Sequence, residues 1–289
     1  PRIHRLDNRQ GDPARSEMIA WWRRRRRNKL RQQPFDPKWR EAISANFEIF
    51  NCLGAAEQDQ LLDHVKVFLG EKNFEGCGGL ELTGEMKAII AVQACLLLMH
   101  RETEYFSLLK TVLVYPSSYF GRGLDGKTDV DAHRLGESWD TGVVILAWDS
   151  VLGGAHNRMD GQNLVFHELS HQLDQEDGTA DGLPILAEGD DTVLERRAKY
   201  TTWSQVLSRE YDLFLERVQR GHRTVLDSYG ATNPAEYFAV ATECFFEKSR
   251  AMQQNLPQLY DVLQRYYRLD PVQWHGKRKP SRSSEDTDG

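Results

Sequence analysis

The sequence predicts an α+β fold, a mostly helical surround with a small mixed sheet beside one helix that carries two histidines. Three observations lead there. Apolar residues recur at helical spacing through most of the 289 residues. Two short β-branched runs, TVLVY at Thr111–Tyr115 and GVVILAW at Gly142–Trp148, interrupt that pattern. Shortly after the second run comes VFHELSHQLD, Val165–Asp174, a segment with the 3.6-residue period of a helix.

At 40% hydrophobic residues the chain can bury a substantial core as one large domain or two small ones. The net charge of -6 is mild and argues neither for nor against an anionic partner. The four cysteines, Cys52, Cys77, Cys95 and Cys244, are scattered and form no C-x-x-C pair, so they read as reduced residues. With no signal peptide visible, a cytoplasmic location is expected. The longest apolar run, Ala88–Met99, is broken by Gln93 and is well short of the roughly 20 residues a membrane span needs.

In chain order, residues 1–34 read as a flexible basic leader. Pro1–Ser16 is polar, with Met18 a candidate start, and Trp21 and Trp22 precede the run Arg23–Arg27. That run is suited to nucleic acid or an anionic membrane surface, although a solvated arm is the simpler reading. A twin-arginine export signal is excluded, because NKLRQQPF is not apolar. Residues 35–270 form a single domain, with a helical part at 35–116 and a part at 117–270 built around the histidine helix. Trp39–Leu53 and Glu57–Glu71 have amphipathic helical patterns. Phe74–Leu82 holds Gly76, Gly78 and Gly79 without a nucleotide-binding pattern, and reads as strand or loop. Thr83 can cap the helix that follows through Met99. The glycine-containing stretch Ser117–Gly136 reads as a surface excursion between the two strands. The second strand, just ahead of the histidine helix, is either an ordinary core strand or an edge able to pair with an extended backbone. Thr192–Arg220 is one long helix ending at Gly221. Asn233 and Pro234 start another, as cap and first helical residue, and Pro257–Arg268 is the last. Residues 271–289 read as a disordered tail.

In the His-Glu-x-x-His segment, His167 and His171 stand at i and i+4, one turn apart and close enough to share one metal ion, with Glu168 beside them as a possible base. Zinc is the ion such a site usually holds. The pentapeptide alone is only moderately specific; the amphipathic helix and flanking turns strengthen it. A catalytic zinc site takes a third protein ligand, usually a carboxylate in this class. Spacing leaves Glu188, Asp190, Asp191, Glu195, Glu236 and Glu243 open, and Glu236 also stands where it could close a capping box with Asn233. Asp174, one turn after His171, and Glu243, on the same face of its helix as Glu236, are candidates to orient a ligand imidazole from behind.

VFHELSHQLD, YGATNPAEYFAV, EGCGGLELTGEM and the arginine-rich start leading into QPFDPKWR together resemble the Mlc titration factor A family of zinc-dependent peptidases, over about Trp21–Pro271. The resemblance implies a zincin-like metallopeptidase fold, one Zn2+ ion, Glu236 as third zinc ligand, and an active site similar to that of anthrax lethal factor. There a tyrosine seven residues before the zinc glutamate assists catalysis, and Tyr229 stands at that spacing. The implied activity is aminopeptidase-like hydrolysis of a peptide or protein substrate. A transcriptional repressor of the Mlc type is an implied partner, and a non-catalytic protein that only sequesters such a repressor is the alternative.

Overall fold

The structure is a computed structural model that describes residues 13–117 and 142–274, with side chains from Met18 onward. The expected surface excursion, apart from its first residue, and most of the expected tail lie outside the described residues.

Helix α1 (Pro13–Arg31) precedes α2 (Pro37–Asn46), a 3-10 turn (Glu48–Cys52) and α3 (Ala55–Glu71). The α2 helix starts where Asp36 accepts the Lys38 N–H and Pro37 presets the first helical φ. The basic segment is therefore helical from Pro13, where a flexible leader was expected. Arg27 explains the docking: it is buried, and its guanidinium reaches the Glu71 carboxylate at 2.8 and 3.2 Å and sits 4.8 Å from the Tyr105 ring centre. Those partners are far away in sequence, so a run of arginines read by itself gives no sign of them.

Strand β1 (Asn73–Gly76), helix α4 (Gly84–Leu96), and strands β2 (Thr111–Tyr115) and β3 (Val143–Ala147) form the middle of the molecule. Thr83 caps α4 as expected, accepting the Met86 N–H. From Ala88 to Met99 every side chain is buried, which makes α4 and its continuation the helix around which the others pack. The sheet order is β1-β2-β3, and Thr111 lies opposite Val143. Among the described residues all three strands are parallel, whereas a mixed sheet was expected. Direction is set by the crossovers: parallel neighbours need long connections, and α4 lies within the one between β1 and β2. Val112, Val114, Val144 and Leu146 face the core in strict alternation.

β3 runs directly into α5 (Trp148–His156), a short helix that the apolar run concealed, and then into α6 (Leu164–Asp174), the histidine helix. The long helix α7 (Val193–Gln219) is capped by Thr192 and Glu195 bonding each other's backbone N–H groups, and Gly221 follows with φ 69°. Helices α8 (Pro234–Glu247), α9 (Ser249–Asn255) and α10 (Pro257–Tyr267) complete the fold. Phe245, Phe246, Tyr260 and Tyr267 pack ring to ring behind α8, and Trp274 stacks on Phe246 with centres 6.2 Å apart. The packed chain thus continues to Trp274, a few residues into the expected tail. No helix among the described residues is long and apolar enough to cross a membrane.

Candidate metal centre

Helix α6 was expected to have one apolar face and one face carrying chemistry. Both faces are buried: Val165, Phe166 and Leu169 on one side, Ser170, His171 and Asp174 on the other. The reason is α8, which packs along the polar face of α6.

Two Asn caps set the register between these helices. Asn163 Oδ1 accepts the Phe166 N–H at 3.0 Å and starts α6, while its Nδ2 donates to Gln93 Oε1 on α4 at 3.0 Å. A Cβ on Gly154 of α5 would stand 2.9 Å from that amide, so only glycine lets α5 lie so close. Asn233 Oδ1 accepts the Glu236 N–H at 2.9 Å and starts α8. Gly182, at φ 78° and with Pro234 backbone where a Cβ would go, brings the loop after α6 against that start.

The outcome is a three-atom convergence. Glu236 Oε2 lies 3.0 Å from His167 Nε2 and 3.3 Å from His171 Nε2, and the two nitrogens are 3.3 Å apart. A tetrahedral ion with bonds of about 2.0–2.1 Å has ligand-to-ligand edges of about 3.3–3.4 Å. The triangle therefore fits such an ion, and these three residues could hold a metal. Glu236 does not close the capping box; its backbone takes the cap while its carboxylate turns to the imidazoles.

The other carboxylates are engaged elsewhere. Glu188 pairs with Arg268, Asp191 with Lys199 at 2.7 Å, and Glu195 caps α7; Asp190 groups with Glu188 and Asp191. Glu243 approaches from behind: its Oε1 is 2.8 Å from His167 Nδ1 and its Oε2 accepts the Asn163 N–H at 2.6 Å. One carboxylate thus fixes the His167 ring and clamps α8 to the start of α6. Asp174 accepts the Gly182 N–H at 2.9 Å and so anchors the loop that follows α6. Tyr229, on a 3-10 turn (Ser228–Ala231) started by Asp227, places its ring centre 5.9 Å from that of His167. His167, Glu168, Tyr229, Glu236 and Glu243 line one cavity of about 460 Å³, together with Asn163 and Gly154.

Electrostatics follow from burial and these contacts. Burial disfavours a charged His167, but the Glu236 and Glu243 carboxylates outweigh it and lift its pKa to about 10. Burial raises Glu236 too, yet hydrogen bonds from both imidazoles hold it well below the usual carboxylate range. His171, deeply buried and beside a charged neighbour ring, is pushed down to about 4 despite its bond to Glu236. Glu168 rises to about 7, first from burial and then from the nearby Glu236 and Glu243 charges, against the pull of His167. The Glu236 and Glu243 carboxylates thus favour positive charge at His167, and the same negative surroundings would favour a divalent cation.

The sequence did not single out Asn163, Gln93 or Asp227. An Asn directly before the periodic run was a readable cap signal for the first; nothing local marks Gln93, seventy residues away.

A family model described as glucose-regulated metallo-peptidase M90 matches residues 19–268. An uncharacterized protein of Synechocystis sp. is 38% identical over 257 residues, covering 87% of this chain and 90% of its own length. Mlc titration factor A proteins of Yersinia pestis and Yersinia pseudotuberculosis are each 29% identical over 244 residues, covering 81% of this chain and 85% of theirs.

Proposed function

Because this chain belongs to the glucose-regulated metallo-peptidase M90 family, we propose that it is a zinc-dependent peptidase with His167, His171 and Glu236 as metal ligands and Glu168 as general base. The convergence of Glu236 Oε2 on both Nε2 atoms carries this reading. A zinc ion held there would supply Lewis acidity, the chemistry needed to polarise a carbonyl and acidify a water.

The residues divide the remaining work. Glu168 borders the cavity and takes a proton from the attacking water; a carboxylate lifted toward neutral pH is matched to that transfer and to its return to the leaving amine. The Tyr229 hydroxyl donates to the developing oxyanion. Glu243 accepts from His167 Nδ1, which keeps Nε2 free for the metal and the ring oriented. The substrate is a peptide or protein, and the activity is aminopeptidase-like, as the motif resemblance implies. Absence of a membrane-crossing helix among the described residues and the scattered, unpaired cysteines agree with work in the cytoplasm.

The relatives named for Mlc titration favour a second reading, in which the chain binds a repressor of the Mlc type with or without hydrolysis. One experiment separates the two. Purified protein is analysed for metal and assayed on aminoacyl and internal peptide substrates, with and without chelator, beside Glu168→Gln. We expect one zinc per chain, chelator-sensitive release of amino acids, and a metal-loaded but inactive variant. Undiminished hydrolysis by Glu168→Gln would remove the general-base assignment; no hydrolysis by the zinc-loaded wild type, with repressor binding retained, would favour the second reading.

A further inference from the structure

The arginine run divides into two faces on α1. Arg23 pairs with Glu104 at 3.0 Å, Arg26 donates to the Gly70 carbonyl at 2.8 Å, Arg27 holds Glu71, and Arg31 donates to the Tyr105 hydroxyl at 2.9 Å. Leu30 seats against Gly70. These residues fix α1 to α3 and to the segment before β2.

Arg24, Arg25 and Lys29 are exposed, among four large apolar side chains: Met18 is 54% exposed, Ile19 46%, Trp21 51% and Trp22 58%. By helical spacing Met18, Trp21, Trp22, Arg25 and Lys29 share the side opposite Arg27. The two indoles meet edge to face at 5.0 Å, and Arg25 lies 5.3 Å over the Trp21 ring. Single exposed apolar residues are ordinary, but four within five positions form a patch. Indoles interleaved with long basic side chains suit the boundary between lipid headgroups and acyl chains, where rings insert shallowly and cations meet anionic phosphates.

We infer that α1 is a docking face for an anionic lipid surface, which holds the protein peripherally through Met18, Trp21, Trp22, Arg25 and Lys29. Charge complementarity selects an anionic surface, and the apolar patch favours lipid over nucleic acid, whose backbone offers cations partners but gives Met18 nothing apolar to enter. The contact is separate from the metal centre and does not depend on its chemistry.

Flotation of the full-length protein with vesicles tests this, using phosphatidylcholine alone and phosphatidylcholine mixed with phosphatidylglycerol. Binding should appear on the phosphatidylglycerol vesicles at low salt and be largely lost near about 1 M salt, where the screening length is about 3 Å. Arg25→Gln with Lys29→Gln should lower partitioning about 25-fold, at about fivefold per cation. Trp21→Ala with Trp22→Ala should lower it at least about tenfold, and both variants should keep the wild-type melting temperature and zinc content. Equal partitioning onto both vesicle types, no partitioning at low salt, unchanged partitioning of either variant, or tighter binding to a single-stranded RNA oligonucleotide than to the anionic vesicles would each overturn the proposal.

Discussion

Glu243 shows how much one side chain can be asked to do. With one oxygen on His167 Nδ1 and the other on the Asn163 N–H, it orients the His167 imidazole and joins two helices. Glu243→Gln keeps the shape but presents a weaker acceptor, so zinc affinity should fall about 10–100-fold in competition with a chelating dye. Glu168 lines the cavity; Glu168→Gln should cost about 10²–10⁴-fold in kcat/KM while zinc content holds. Tyr229→Phe should cost about 10²–10³-fold, mostly in kcat, if its hydroxyl serves the transition state alone. A loss expressed only as a raised KM would assign Tyr229 to substrate binding instead. His167, Glu168 and His171 were legible from spacing, because i and i+4 on a helix are neighbours whatever the rest of the chain does. Spacing alone left Glu236 one of six carboxylates.

Among elements, α8 decides the site. Its start is written locally, in Asn233 and Pro234, and that start delivers Glu236 in its first turn. Asn233→Ala should destabilise the fold by about 1 kcal/mol, read by denaturant unfolding. Because the same cap sets the Glu236 backbone, zinc affinity should drop with it; an unchanged affinity would show that α6 and Glu243 hold α8 in place without the cap. The strands and the long helices were legible from period and caps. The short helices α5 and α9 were not, since a helix of two or three turns leaves little periodic signal. Helix α1 was missed for another reason: Arg27 reads as a solvated charge until Glu71 and Tyr105 are brought to it.

At the scale of the whole molecule, metal and protons should both register in stability. An ion that binds only the folded chain stabilises it by about 2.7 kcal/mol at a hundredfold excess over its Kd, so chelation should lower the melting temperature by about 5–10 °C. Glu247, buried on α8, is held protonated up to about 9, chiefly by burial, whereas the unfolded chain ionises it near 4.5. Between those values the folded state binds the extra proton, so its contribution to stability declines as pH rises. Glu247→Gln removes that titration. It should melt with the wild type at about pH 5 and above it at about pH 8; parallel curves would show that Glu247 is ionised in the fold.

The sequence by itself determined the α+β class, most of the elements and their caps, and the pair of histidines with their glutamate, because each of these depends on residues within a few turns of one another. The tertiary structure decided which carboxylate completes the triangle, which one backs His167, that the described strands run parallel, and that the arginine run has an anchored face and an open one. Those outcomes join residues some 30 to 80 positions apart. Local propensity is silent about such pairs; packing α6 against α4 and α8, and α1 against α3, is what brings the side chains within a hydrogen bond's length.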